Sequence, residues 1–180
     1  MKTFANLAAA VVLVGGATVR AEDPAPPAPS KEHLWLKQLE GSWECESEAV
    51  FSPGQPPVKC KGKETVRSLG GLWTVGEMTA EFMGTPVTGV MTVGYDAKKK
   101  KFVGTWVCSM SDFMNQYEGT LDGNTLTLNT EGPNPGTGKM VKMKDVMELK
   151  DKDTRMLTSS MMGDDGKWVT FMTMTAKRKK

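Results

Sequence analysis

Histidine occurs once in 180 residues, at His33, and that scarcity removes more chemistry than any motif present supplies. A Ser-His-Asp or Cys-His nucleophile would have to be built on this single imidazole. Cysteine is nearly as scarce: Cys45, Cys60 and Cys108 contain no Cys-x-x-Cys, and their spacing matches no zinc pattern. No metal site is expected. Long apolar runs are missing as well. Residues 7–14 (Leu-Ala-Ala-Ala-Val-Val-Leu-Val) are too few to span a bilayer, and no later stretch approaches that length.

Such a short apolar run behind Lys2, followed by Val19-Arg20-Ala21, has the layout of an export leader cleaved after Ala21. The expected compartment is the periplasm or the outside of the cell, with no stable membrane insertion after cleavage. The chain has 23 basic and 21 acidic residues, and the leader carries Lys2 and Arg20, so 21 of each remain. A net field that collects nucleic acid or acidic lipid is therefore absent. The Lys177-Arg178-Lys179-Lys180 end reads as a solvated basic tail.

Residues 22–30 contain Pro24, Pro26, Pro27 and Pro29, which lack N–H donors and fix φ, so this stretch is an exposed tether. Ser30 then caps a helix predicted over residues 31–40, with Glu32 in its first turn and Gly41 at its end. From there the periodicity switches to two. Trp43, Cys45, Ser47 and Ala49 share one parity, against Glu44, Glu46 and Glu48 on the other. After the Ser52-Pro53-Gly54 turn, Lys59, Lys61 and Lys63 answer the glutamates, which marks that face as the outside. The same register turns Cys45 and Cys60 inward, as two reduced core thiols or as a cross-strand disulfide if they sit opposite one another.

Turn signals then recur along the chain: Gly70-Gly71, Gly84-Thr85-Pro86, Asp96-Ala97-Lys98-Lys99, Asp122-Gly123-Asn124 and Asp164-Asp165-Gly166. They divide the chain into ten strands, predicted at 42–51, 58–69, 72–83, 87–95, 102–110, 113–121, 125–130, 139–149, 154–162 and 168–177. Residues 132–138 read as an irregular loop and not a phosphate cradle, since no helix follows them. One helix and ten short strands with no long crossover imply a single all-β antiparallel barrel over residues 31–180.

Gly41-Ser42-Trp43 opening the first strand after a short helix resembles the Gly-x-Trp signature of the calycins, the superfamily of lipocalins and fatty-acid-binding proteins. The resemblance implies a tryptophan at the closed end of a barrel, covered by a basic residue late in the last strand. Arg178 matches by position. Its guanidinium can stack on the indole while donating to backbone carbonyls. Further stretches, 64–73 (Glu-Thr-Val-Arg-Ser-Leu-Gly-Gly-Leu-Trp), Gly94-Tyr95-Asp96, Tyr117-Glu118-Gly119-Thr120-Leu121 and Leu157-Thr158-Ser159-Ser160-Met161, are similar to the exported bacterial DUF1579 family. That implies a calycin-like barrel and brings no settled activity. Haem-binding relatives of ten-stranded calycin form hold iron through a histidine on a late strand. This chain has none after His33, so that ligand does not carry over, and no cofactor is expected.

The candidate ligand-binding residues are Trp73, Trp106 and Tyr117 as pocket aromatics, with Glu64 and Glu77 as cavity carboxylates. Glu118 and Asp145 are further carboxylates in mixed strands. The ordinary explanation for a lone strand acid is pairing with a neighbour such as Arg67 or Lys142. Fourteen methionines, several alternating in strands, suit an adaptable interior better than a Cu(I) site. Three readings follow. The first is a carrier of a small apolar or amphiphilic molecule. The second is a calycin-fold enzyme using Glu64 or Glu77 as general acid or base. The third is a periplasmic structural or interaction module enclosing no ligand.

Overall fold

The structure, a computed structural model, describes residues 27–50 and 54–180. The predicted leader, most of the predicted tether and the Ser52-Pro53 part of the first turn lie outside the described residues.

Helix α1 (Lys31–Lys37) starts where Ser30 can cap it. The Ser30 backbone N–H donates to Nδ1 of His33 at 2.9 Å, and the Ser30 hydroxyl donates to Glu32 at 2.7 Å. The single histidine is thus a capping group. Seven residues are too few for an independent helix, and α1 stops three residues short of the predicted Glu40. What holds it is burial: Trp35, Leu36 and Leu39 join Trp43, Phe102 and Leu126 in one core.

Ten strands follow: β1 (Gly41–Ala49), β2 (Val58–Leu69), β3 (Trp73–Phe82), β4 (Thr85–Asp96), β5 (Lys101–Cys108), β6 (Asn115–Asp122), β7 (Thr125–Pro133), β8 (Met140–Asp151), β9 (Thr154–Met162) and β10 (Trp168–Arg178). Each pairs antiparallel with its chain neighbours, and β1 pairs with β10, so the sheet closes into a barrel. Closure leaves no strand edge unpaired. The β1–β2 register sets Glu44 opposite Lys63, Glu46 opposite Lys61 and Glu48 opposite Lys59, as the charge pattern predicts. Lys61–Glu46 and Lys59–Glu48 form ion pairs of 3.0 Å on the outer face.

Two expectations need correction. Cys45 and Cys60 share the inward parity but are not opposite: Cys45 faces Gly62, and Cys60 faces Ser47. One step along the ladder keeps them apart, and Cys45, Cys60 and Cys108 are free thiols. The predicted loop at 132–138 is shorter than expected, because Gly132 and Pro133 belong to β7 and pair with Val141 and Met140. Asn134 organises what remains, its backbone carbonyl accepting from Gly138 N–H at 2.8 Å and its side-chain oxygen from Gly136 N–H at 2.8 Å.

Candidate functional site

The α1 end of the barrel is shut, and the residues that shut it are those the Gly-x-Trp pattern singled out. Trp43, 1% exposed, donates its indole N–H to the Leu39 carbonyl at 2.9 Å. The Arg178 guanidinium lies over the Trp43 ring, 4.1 Å from its centroid. The same group donates to the carbonyls of Glu40, Gln38 (2.8 Å) and Lys152 (3.0 Å), which ties the end of α1 to the last strand. Gly41 has φ +121°, and a Cβ there would lie 2.6 Å from the Arg178 Nη1. Backbone and space both require glycine at that position.

Above this closure sits a second guanidinium that the sequence pattern did not reveal. Arg155, on β9 beside Leu149 and Ala176, points to the barrel axis. It lies 4.5 Å from the Trp43 ring centroid and forms an ion pair with Glu64 from β2. The two side chains are only 3% and 13% exposed, so the pair is buried. Arg155 also directs Nη1 to the Met147 sulfur at 3.9 Å. Glu64 therefore faces inward as expected, but its partner is Arg155 and not its near neighbour Arg67. Ninety-one residues separate the two, so no local pattern could have joined them. Cys45 lies beside them, and burial, with the Glu64 charge adding, pushes its thiol up to about 11.

Away from α1 the interior changes character. Along β1, Trp43 and Cys45 are buried, whereas Ser47 and Ala49 are half-buried. On β8, Leu149 and Met147 are buried, whereas Asp145, Met143 and Val141 are half-buried; β10 repeats this with Ala176 against Met174 and Met172. β3 does the same, from Thr74 and Gly76 to Met78, Ala80 and Phe82. These rows face the barrel axis, and the lumen they line is less covered away from the helix than beside it. The lumen wall is rich in thioethers and includes the directly opposed pair Met143 and Met161.

Of the predicted pocket aromatics, Trp106 and Tyr117 face this lumen. The Trp106 ring lies against β4 at Gly89, where a Cβ would come within 2.3 Å of it. Tyr117 reaches across β7 to β8, and its hydroxyl donates to Asp145 at 2.6 Å. Burial raises the Asp145 pKa, opposed by hydrogen bonds from Ser159 and Tyr117. Burial raises the Tyr117 pKa too, with the Asp145 charge adding to it. Trp73 and Glu77 are corrections. Both lie on the outer face, Trp73 being 39% exposed and covering Gly94, because β3 buries the opposite parity. Glu118 is also outside, in an ion pair with Lys99. Among the described residues no three His, Cys, Asp or Glu side chains gather as metal ligands would.

A family model described as "Protein of unknown function (DUF1579)" matches residues 28–178, nearly all of the described chain. The chain belongs to the DUF1579 family. No curated protein matches it. Among solved structures, Rv2717c from M. tuberculosis aligns with a TM-score of 0.61 at 12% identity, covering 85% of this chain and 100% of that one. That likeness shows the fold alone. A redesigned barrel, mFAP1 bound to DFHBI, aligns at a TM-score of 0.44 and 14% identity, over 83% of this chain and 100% of that one. This DUF1579 chain is accordingly a closed, ten-stranded, calycin-like barrel with its helix at the shut end.

Proposed function

We propose that this DUF1579 protein is a carrier that holds a small apolar or amphiphilic molecule in its lumen and admits it at the end remote from α1. One observation carries the reading. The axis-facing rows pass from buried to half-buried along the same strands, which puts solvent-reachable thioether and aromatic surface inside the barrel. Apolar surface of this kind gains about 25 cal/mol for each Å² that a ligand removes from water. Methionine adapts its shape at low cost, so the wall accepts varied chains. The acid–base alternative loses its named residues: Glu77 is on the outer face, and Glu64 is held by Arg155.

The proposal includes export, with residues 1–21 as the leader and the carrier in the periplasm or outside the cell. A mature N-terminus at Glu22 is the expected result of sequencing the protein from its native compartment. For the lumen, the neutral probe N-phenyl-1-naphthylamine should bind saturably with one site per chain. Met161→Trp, which fills the lumen, should weaken it about tenfold or more, whereas Trp73→Ala on the outer face should leave it unchanged. Absence of saturable binding by the wild-type protein would end the carrier reading.

A further inference from the structure

One carboxyl on the axis-facing rows of the barrel has no basic partner among the described residues. Among the described residues, the charged side chains that face the barrel axis are Glu64, Asp145, Arg155 and, at the shut end, Arg178. Arg178 is committed to the Trp43 ring, three backbone carbonyls and the Asp153 carboxylate at 3.5 Å. Arg155 and Glu64 neutralise one another. Asp145 is left. Its polar contacts are the Tyr117 hydroxyl at 2.6 Å and the Ser159 hydroxyl, and no basic side chain among the described residues pairs with it. Lys142 and Lys144, its neighbours on β8, alternate to the outer parity, where Lys144 lies 4.4 Å over the Trp168 ring.

Asp145 is also placed where a ligand could meet it. It belongs to the half-buried part of the β8 row, next to Met143 towards the mouth and to Met147 towards the floor. Across the ladders it faces Leu128 on one side and Ser159 on the other. A carboxyl with two hydroxyl donors and no countercharge, set in thioether and aliphatic surface, is a receptor for a cation. Beside this apolar surface a docked ammonium gains more from a carboxylate than it would in bulk water. A carboxylate headgroup at the same spot meets a like charge, or must share a proton with it.

Resting on the carrier reading, we infer that the lumen selects amphiphiles with a primary ammonium headgroup, with its N–H donors on Asp145 and its chain along the methionine wall and Trp106. The acidic amphiphiles that a guanidinium-floored barrel would take are disfavoured, because the one lumen guanidinium above the closure is already paired with Glu64.

The test is competition against N-phenyl-1-naphthylamine by dodecylamine, dodecanol and dodecanoate at pH 7, below their micellar concentrations. The three share one chain and differ only in the head. Dodecylamine should displace the probe at a concentration at least tenfold lower than dodecanoate. That order should survive 0.5 M salt, which screens attraction to the outer surface. Asp145→Asn should weaken dodecylamine about tenfold while dodecanol changes less than threefold. Tyr117→Phe, which leaves the carboxylate in place, should keep the preference for amine. Dodecanoate matching or beating dodecylamine overturns the inference. So does an amine preference that persists in an Asp145→Asn protein that still binds the probe. If Asp145→Asn does not fold, the wild-type order alone decides. Failure of the probe to bind would remove the carrier reading itself, which separates the two failures.

Discussion

Arg155→Met is the sharpest test of how the floor of the lumen is built. The guanidinium is 3% exposed, its partner Glu64 is 13% exposed, and the two are linked across the barrel between β9 and β2. Removing one member of a buried pair leaves the other without compensation, which costs about 3–5 kcal/mol. Loss of the guanidinium 4.5 Å from the Trp43 ring centroid adds to this, by roughly 0.5–2 kcal/mol. For a domain of this size, each kcal/mol lowers Tm by about 2–4 °C, so the first of these costs alone predicts a fall of about 6–20 °C. Methionine keeps most of the volume, so a cavity contributes little. Urea unfolding of the wild type, Arg155→Met, Glu64→Gln and the double variant closes a thermodynamic cycle. The double variant should be more stable than the sum of the single losses implies, by about 2 kcal/mol or more, because neither orphaned charge remains. A single loss under about 1 kcal/mol, or strict additivity in the double, would refute the buried pair.

Other consequences are simpler to check. Gly41→Ala should cost about 2 kcal/mol or more in urea unfolding, since alanine is strained at φ +121° and its Cβ meets Arg178. Ellman's reagent at pH 8 should find Cys60 and Cys108 reactive and Cys45 slow until denaturant is added, because Cys45 is buried and its thiol is raised to about 11. The same shift gives a stability slope with a definite sign. Between about 9 and about 11 the unfolded thiol ionises while the folded one stays protonated, so stability falls as pH rises, and Cys45→Ala should flatten that stretch of the curve. Trp106→Phe should abolish most of the change in intrinsic fluorescence when a lumen ligand binds, whereas Trp73→Phe should not. Equal responses from both would contradict the assignment of faces.

Most of the frame could be read along the chain. Glu44, Glu46 and Glu48 opposing Lys59, Lys61 and Lys63 revealed the outer face of the first hairpin, because charge avoids the interior at every second residue. The strand with Trp73 and Glu77 shows where this logic fails. Its parity was correct, but assigning a face needs to know which row is covered. Trp73 looks like a core residue until it is found on the outside over Gly94. Glu64 has the inward parity that the alternation shows, but its partner Arg155 arrives through a pairing 91 residues away, which no local pattern contains. Asp145 meets Tyr117 only because the Tyr117 side chain reaches across the intervening strand.

The amino-acid sequence by itself determined the periodic elements, the turns between them and the Gly41, Trp43 and Arg178 closure. The elements and turns rest on local backbone preference or on alternation of two, which act over a few residues, whereas the closure was implied by the resemblance to the calycins. Tertiary structure alone decided that the axis-facing rows are less covered away from the helix, that Arg155 pairs with Glu64, and that the Asp145 carboxyl sits in a thioether wall with no basic partner among the described residues. Those properties depend on closing β1 against β10 in one register. Closing the sheet brings residues distant in the chain to one axis, and the balance of charge inside follows from that meeting.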